Sequence, residues 1–214
     1  MLVNCHICDK NTIVFTHEKT NITYYHCKSC EYIFKSPENY QDFEVQKERY
    51  NLHENNDEDA GYIAYFQRFL DFILPLIDRP QNALDFGCGR TSLLASLLDK
   101  EGIVCDYYDP IYHPDTLESH KKYDLIVSTE VFEHLHQPNL VFKDLLEKLH
   151  SGGYLALQTE FHANELEAFK KWWYPSDTTH IVFFRPHTFK VLCEKHGSRF
   201  IKDNGKNMVL IQKV

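Results

Sequence analysis

Two hydrophobic periods run along this chain, and the places where one gives way to the other predict its elements. From Ile63 to Leu74 apolar side chains recur at helical spacing. Pro75 ends that helix, because its ring lacks an N–H and clashes with the preceding turn. Upstream, Thr12–Phe15 and Asn21–Tyr25 are short runs rich in strand-forming residues and predict a hairpin. Ala83–Phe86 is a brief apolar run broken by Gly87-Cys88-Gly89, which predicts a buried strand, a tight turn and a helix beginning near Thr91 or Ser92. Ile103 to Asp109 predicts the next strand, and Met208–Gln212 a C-terminal strand antiparallel to its neighbours. From Glu38 to Asp59 the pattern is lost, and eight acids outweigh Lys47 and Arg49. Arg49-Tyr50-x2-His53 and Tyr62 interrupt this acidic connector with good ligand-binding residues, so it is expected to cap a cleft.

Composition narrows the picture. A chain of 214 residues that is 43% hydrophobic supports one full core and a small appendage. It has no apolar stretch of membrane-spanning length, and Met1-Leu2-Val3-Asn4-Cys5 does not read as a signal peptide. A cytoplasmic location is therefore expected, with thiols reduced unless a metal holds them. The net charge of −8 has the wrong sign for tracking a phosphate backbone, which argues against a nucleic-acid partner. Nothing points to a membrane partner or to an oligomeric state.

The glycine turn carries the first chemical signal. Glycines at Gly87 and Gly89 let backbone approach a ligand that a Cβ would push away. Asp109, 20 residues beyond Gly89 at the end of the next strand, is placed to accept hydrogen bonds from ribose hydroxyls. Together they predict a nucleoside site in a doubly wound sheet. A dinucleotide would need a third glycine and a free helix N-terminus for its pyrophosphate, but that position is Ser92 and Asp85 lies beside the turn. A carboxylate there repels pyrophosphate and suits S-adenosylmethionine, which carries an ammonium and a sulfonium and no phosphate.

With these residues in place, the chain from about Gly61 onward resembles class I S-adenosylmethionine-dependent methyltransferases. Ala83–Gly89 is similar to the family's first motif, Tyr123–Leu135 to its fourth strand and the acidic helix start after it, and Ser151–Leu157 to the turn and fifth strand. The whole chain, cysteine-rich start included, resembles a group of small bacterial methyltransferases of unassigned substrate. The resemblance implies an α/β, Rossmann-like sheet, with the cofactor on Asp85, Gly87, Cys88, Gly89, Asp109 and Glu130. Two departures stand out. Arg90 and Thr91 replace a further glycine, and only 13 residues, Pro110 to Lys122, occupy the place of a helix, a third strand and another helix. The third strand is expected to be missing, so the adenine pocket must be built differently.

Cys5-x2-Cys8 and Cys27-x2-Cys30 form a zinc signature, because each C-x2-C turn points two thiolates at one centre. With the hairpin between them they predict a small zinc ribbon, held by a metal worth about 10–16 kcal/mol in comparable peptides. His6 and His26 flank the knuckles and read as neighbours more than as ligands; Cys88, Cys105 and Cys193 read as packing residues. The expected organisation is a zinc ribbon over 1–37, an acidic connector or cap over 38–60 and a methyltransferase domain over 61–214.

Methyl transfer needs alignment more than covalent help, so sequence marks the cofactor site better than the catalytic group. Two segments offer polar chemistry. Glu130-x2-Glu133-His134 is expected to open a helix with its three side chains on one face. Asp177-Thr178-Thr179-His180 follows Trp172-Trp173-Tyr174, whose two tryptophans are expected as a core and lid pair, and precedes the apolar run Ile181–Phe184. His180 oriented by Asp177 would make a base with a pH–rate inflection near 6–7. Alternatively Glu130, Glu133, His134 and His180 would hold a second divalent metal. That set resembles the metal site of small-RNA 3′-end 2′-O-methyltransferases, and its E-x2-E-H part resembles quinone-pathway O-methyltransferases. The leading expectation is O- or N-methylation of a small molecule, with the ribbon shaping the acceptor side. RNA methylation, and a non-catalytic module that senses cofactor or binds a partner, stand as alternatives.

Overall fold

The computed structural model describes residues 3–18, 20–42, 45, 47 and 59–214. Its centre is a six-stranded sheet of β4 (Asn82–Phe86), β5 (Val104–Tyr108), β6 (Tyr123–Thr129), β7 (Leu149–Gln158), β9 (Ser198–Asp203) and β10 (Met208–Lys213), in the order β5-β4-β6-β7-β10-β9. The first four run parallel, while β10 is antiparallel to both β7 and β9. No strand forms between Asp109 and Tyr123, so β5 is an edge with Val104 67% exposed, as the short interval predicts.

The central strands read as continuous apolar runs because helices cover both faces. On one face Ala83, Leu125, Val127 and Leu210 meet α1 (Ala60–Ile73) and α2 (Leu93–Lys100). The other face, with Leu84, Ile126, Leu155 and Val209, meets α3 (Pro138–Lys148) and α5 (Pro186–His196); a short α4 spans Leu166–Phe169. Asp59 starts α1 by accepting hydrogen bonds from the N–H groups of Gly61 and Tyr62 at 2.7 and 3.2 Å. Among the described residues no helix is long and apolar enough to cross a membrane.

The cysteine-bearing segment is built into this body. Its strands β1 (Ile13–His17), β2 (Ile22–Cys27) and β3 (Tyr32–Lys35) form an antiparallel sheet, and β8 (Val182–Phe183) adds to it as a fourth strand beside β3. Cys5, Ile7, Tyr32 and Phe34 share one core with α3 and α5.

One expected element differs. Residues 130–135 form no α-helix, only a 3₁₀ turn over Phe132–His134, and α3 begins at Pro138. Glu130 adopts φ +53°, a left-handed conformation that cannot begin a right-handed helix, and proline is suited to the first helical position. Glu130, Glu133 and His134 therefore share no helical face. Arg49, Tyr50 and His53, expected in the cap, lie outside the described residues, whereas Tyr62 lines the central cavity.

Candidate active site

A cavity of about 950 Å³ opens over the carboxyl ends of β4, β5 and β6, where parallel sheets bind ligands. One half is the glycine turn. Gly87 and Cys88 donate their N–H groups to the Tyr108 carbonyl at 2.7 and 3.1 Å, which pins the turn to the end of β5. Gly87 has φ +81°, and a Cβ there would stand 2.2 Å from Val131 Cγ2, so neither backbone nor space admits another residue. Asp109 Oδ2 accepts from Gly89 N at 3.1 Å, while Oδ1 accepts from Ile111 N and Tyr112 N at 2.8 and 3.0 Å. These three bonds brace the turn and leave one of about four carboxylate lone-pair sites for a ligand. The short segment after Asp109 supplies Pro110, Ile111 and Tyr112 to the wall, the substitute for a pocket built after a third strand. Asp85 is buried, and burial, with Asp109 nearby, pushes its carboxyl up to about 7.

The other half is a buried polar cluster. Tyr65 donates to Glu130 Oε1 at 2.6 Å, and the Tyr174 hydroxyl lies 2.6 Å from Glu133 Oε1 and 3.2 Å from Glu130 Oε2. Tyr174 thus joins two carboxylates that helical spacing does not. Burial pushes both glutamates up, and the charge of Glu133 adds to the rise at Glu130. Glu133 is fully buried, and its Oε2 has no hydrogen-bond partner among the described residues. His134 Nδ1 lies 3.0 Å from the Thr179 carbonyl, and His180 Nδ1 lies 2.9 Å from the Tyr174 carbonyl. A carbonyl only accepts, so both imidazoles carry their proton on Nδ1 and keep an Nε2 lone pair. The rings are 4.8 Å apart, and ligand atoms of Glu133, His134 and His180 all lie within 4.8 Å of one another. Glu130, the fourth residue of the expected metal set, is outside that group.

His180 and Asp177 both line the cavity, as their sequence positions suggest. The bond that sets the His180 tautomer comes from Tyr174, however, while Asp177 Oδ1 accepts from the N–H and hydroxyl of Thr179 at 2.9 and 2.7 Å. Burial, with His134 adjacent, holds His180 down at about 3. Burial thus favours the neutral imidazole over the imidazolium at this position. Trp172 packs into the small cluster around Phe169 and Phe183, and Trp173 is 66% exposed at the cavity wall. Tyr65 and Tyr174 escaped sequence reading: Tyr65 is hidden in the apolar stripe of α1, and Tyr174 is the unremarked third member of the Trp-Trp-Tyr stretch.

In the ribbon, Cys5 and Cys30 Sγ are 3.4 Å apart, Cys8 and Cys27 Sγ are 3.4 Å apart, and all four lie within 4.8 Å of one another. Among the described residues every cysteine is a free thiol. Ile7 N donates to Cys5 Sγ at 3.4 Å, and the Cys30 thiol beside Cys5 lowers its pKa, which favours the thiolate a metal would take. Four converging sulfurs fit a tetrahedral zinc site. His6 instead packs against Phe34, with ring centroids 4.2 Å apart and the planes tilted by 35°.

A family model described as "Methyltransferase domain" matches residues 58–202. Among solved structures, the chain is similar to the N-methyltransferase NodS from Bradyrhizobium japonicum WM9 in complex with S-adenosyl-L-homocysteine. The TM-score is 0.54 with 14% identity, over 79% of this chain and 97% of that one. It is similar to magnesium protoporphyrin IX methyltransferase from Synechocystis PCC 6803 with bound S-adenosyl-L-homocysteine, with TM-score 0.53 and 13% identity, over 80% and 94% of the two chains. It is also similar to the mitomycin 7-O-methyltransferase MmcR, with TM-score 0.53 and 15% identity, over 73% and 59%. Identities this low speak for the fold alone. No curated protein sequence matches the chain.

Proposed function

Because the chain belongs to the methyltransferase-domain family and is an S-adenosylmethionine-dependent methyltransferase, we propose that it methylates oxygen or nitrogen of a small molecule held in the cavity that also takes the cofactor. S-adenosylmethionine, when bound, supplies an electrophilic methyl group. Asp85, Gly87, Cys88, Gly89 and Asp109 form its side of the cavity, with Glu130 at the border and Asp177 and His180 facing the acceptor. Alignment of the two reactants is the protein's main contribution, worth about 7–11 kcal/mol when reacting atoms are held in contact.

One observation carries the small-molecule assignment: the cofactor turn and a buried polar cluster share one cavity, walled by aromatic and acidic side chains. Asp42, Asp85, Asp109, Glu130 and Asp177 line it, against Arg90 as the one cationic residue among the described lining. Such a wall disfavours a phosphate backbone and suits a neutral or cationic acceptor. That the mitomycin 7-O-methyltransferase shares this fold agrees with the same choice. The test is transfer of labelled methyl groups to pooled small hydroxyl and amine compounds, beside total RNA and protein. Label confined to macromolecules would overturn the assignment, as would failure of the protein to bind S-adenosylhomocysteine.

Two metals belong to this proposal. Cys5, Cys8, Cys27 and Cys30 hold a structural zinc, supported by their converging sulfurs and the shared core. On the acceptor side, Glu133, His134 and His180 would hold a divalent cation such as manganese. The observation favouring it is Glu133 Oε2, a buried carboxylate oxygen without a hydrogen-bond partner beside two imidazoles pinned through Nδ1. Such a cation lowers the pKa of a bound hydroxyl.

A further inference from the structure

Lys35 is a buried ammonium with no part in the chemistry above. It lies at the end of β3, is 1% exposed, and donates from Nζ to the Thr178 carbonyl at 3.0 Å. Its backbone N–H donates to the Ile181 carbonyl at 2.8 Å, where β3 runs beside β8. The loop between these contacts carries the acceptor-side groups. The carbonyl of Thr178 goes to Lys35 and that of the next residue, Thr179, to His134; Ile181 N returns to the Glu133 carbonyl at 2.8 Å. The loop is thus held from the ribbon on one side and from the central sheet on the other.

The ribbon's grip extends past Lys35. The carbonyl of Cys30 accepts from Thr188 Oγ1 at 2.9 Å, and the carboxylate of Glu31 meets Arg185 Nε at 2.7 Å. Tyr24 and Ile33 pack with Phe169, Tyr174 and Phe183 in one buried cluster. Tyr174 is the residue whose hydroxyl joins Glu130 to Glu133 and whose carbonyl orients His180. Contacts from β2 and β3, the strands that carry Cys27 and follow Cys30, therefore reach the acceptor wall, whereas the glycine turn is braced by β5 and Asp109.

We infer that Lys35 is a positioning residue of the acceptor site, holding the 177–180 loop through Thr178, and that the metal-closed ribbon sets this wall while leaving the cofactor turn independent. Burial of the ammonium lowers Lys35 to about 8, with Asp177 opposing the fall, a cost consistent with a lysine kept for its donor. The inference rests on the functional assignment above for the word acceptor, but its test does not require the acceptor.

The chain has two tryptophans, Trp173 on this wall and Trp172 packed behind it against Phe169, Tyr174 and Phe183, so intrinsic fluorescence reports the acceptor half. Calorimetry with S-adenosylhomocysteine reports the cofactor half. Lys35→Met keeps the apolar stem and removes the donor. It should bind S-adenosylhomocysteine within about threefold of wild type, while hydrogen exchange over 178–183 quickens by about tenfold or more and tryptophan emission shifts. Lys35→Arg, which retains a cationic donor, should restore protection. Zinc removal, by Cys27→Ser, should reproduce the Lys35→Met pattern. Unchanged exchange and emission in Lys35→Met would overturn the positioning role, and so would loss of cofactor binding together with global unfolding. Unchanged exchange after zinc loss would overturn the link to the ribbon. Wild-type protein that fails to bind S-adenosylhomocysteine would count against the functional assignment and leave the exchange comparison intact.

Discussion

Asp85→Asn should make this protein more stable and a worse binder of its cofactor, and both effects should depend on pH. Asp85 sits 2% exposed at the end of β4, and burial raises its carboxyl from 3.8 to about 7, partly offset by a hydrogen bond from the Ala95 N–H. An unfolded chain releases this proton near pH 4, whereas the folded chain keeps it until about pH 7. Between those values the native state binds more protons, so stability falls as pH rises through the window and the full cost applies above it. At 1.36 kcal/mol per pH unit, the gap amounts to about 4 kcal/mol. Asparagine keeps the shape and the acceptor oxygen but cannot ionise. At pH 8 the variant should be more stable by up to about 4 kcal/mol, which is up to about 8–16 °C in Tm at 2–4 °C per kcal/mol, and the difference should vanish near pH 4. Scanning calorimetry of both proteins across pH 4–8 measures it, and titrations common to the two chains cancel. In wild type, affinity for S-adenosylmethionine should rise with pH through 7 as the carboxylate forms, while the variant should bind weakly and without that rise. An equal Tm difference at pH 4 and pH 8 would refute the reasoning, because a pH-independent gain comes from packing.

Other predictions test the remaining parts. Gly87→Ala forces an L-residue into φ +81°, at about 1–2 kcal/mol, and drives its Cβ into Val131, so S-adenosylhomocysteine affinity should drop at least about tenfold. Pairing it with Val131→Ala should recover only part, and wild-type affinity in the single variant would remove the turn from the cofactor site. Elemental analysis should find one zinc per chain and none in Cys27→Ser; full zinc retention by that variant would dismiss the four-cysteine site. Once an acceptor is known, mild chelation that leaves the ribbon zinc in place should abolish turnover, and manganese should restore it. Glu133→Gln should lose that metal response, and turnover indifferent to chelation would eliminate the Glu133–His134–His180 cation.

Local pattern determined much of this protein without any tertiary information. The apolar run at Ala83–Phe86, the glycines after it and the acid at Asp109 specify a strand, a turn and a neighbouring strand end, because backbone sterics and side-chain period are properties of adjacent residues. Each C-x2-C turn presents two sulfurs for the same reason, and the 13 residues from Pro110 to Lys122 are too few for a crossover, a strand and a return. Tertiary structure decided the acceptor side. Helical spacing promised a common face for Glu130, Glu133 and His134, but the left-handed backbone at Glu130 and the late start of α3 at Pro138 removed the helix. The two glutamates are united instead by Tyr174, 41 residues beyond Glu133, while Tyr65, whose place in an apolar stripe marks it as core, holds Glu130 alone. Asp177 looked like the partner that orients His180, yet the Tyr174 carbonyl does so. Nor does sequence foretell that β3 takes β8 as its neighbour and brings Lys35 to Thr178, 143 residues away. Pairings of that kind depend on which surfaces meet once two sheets pack on a shared core, and no period along the chain encodes that meeting.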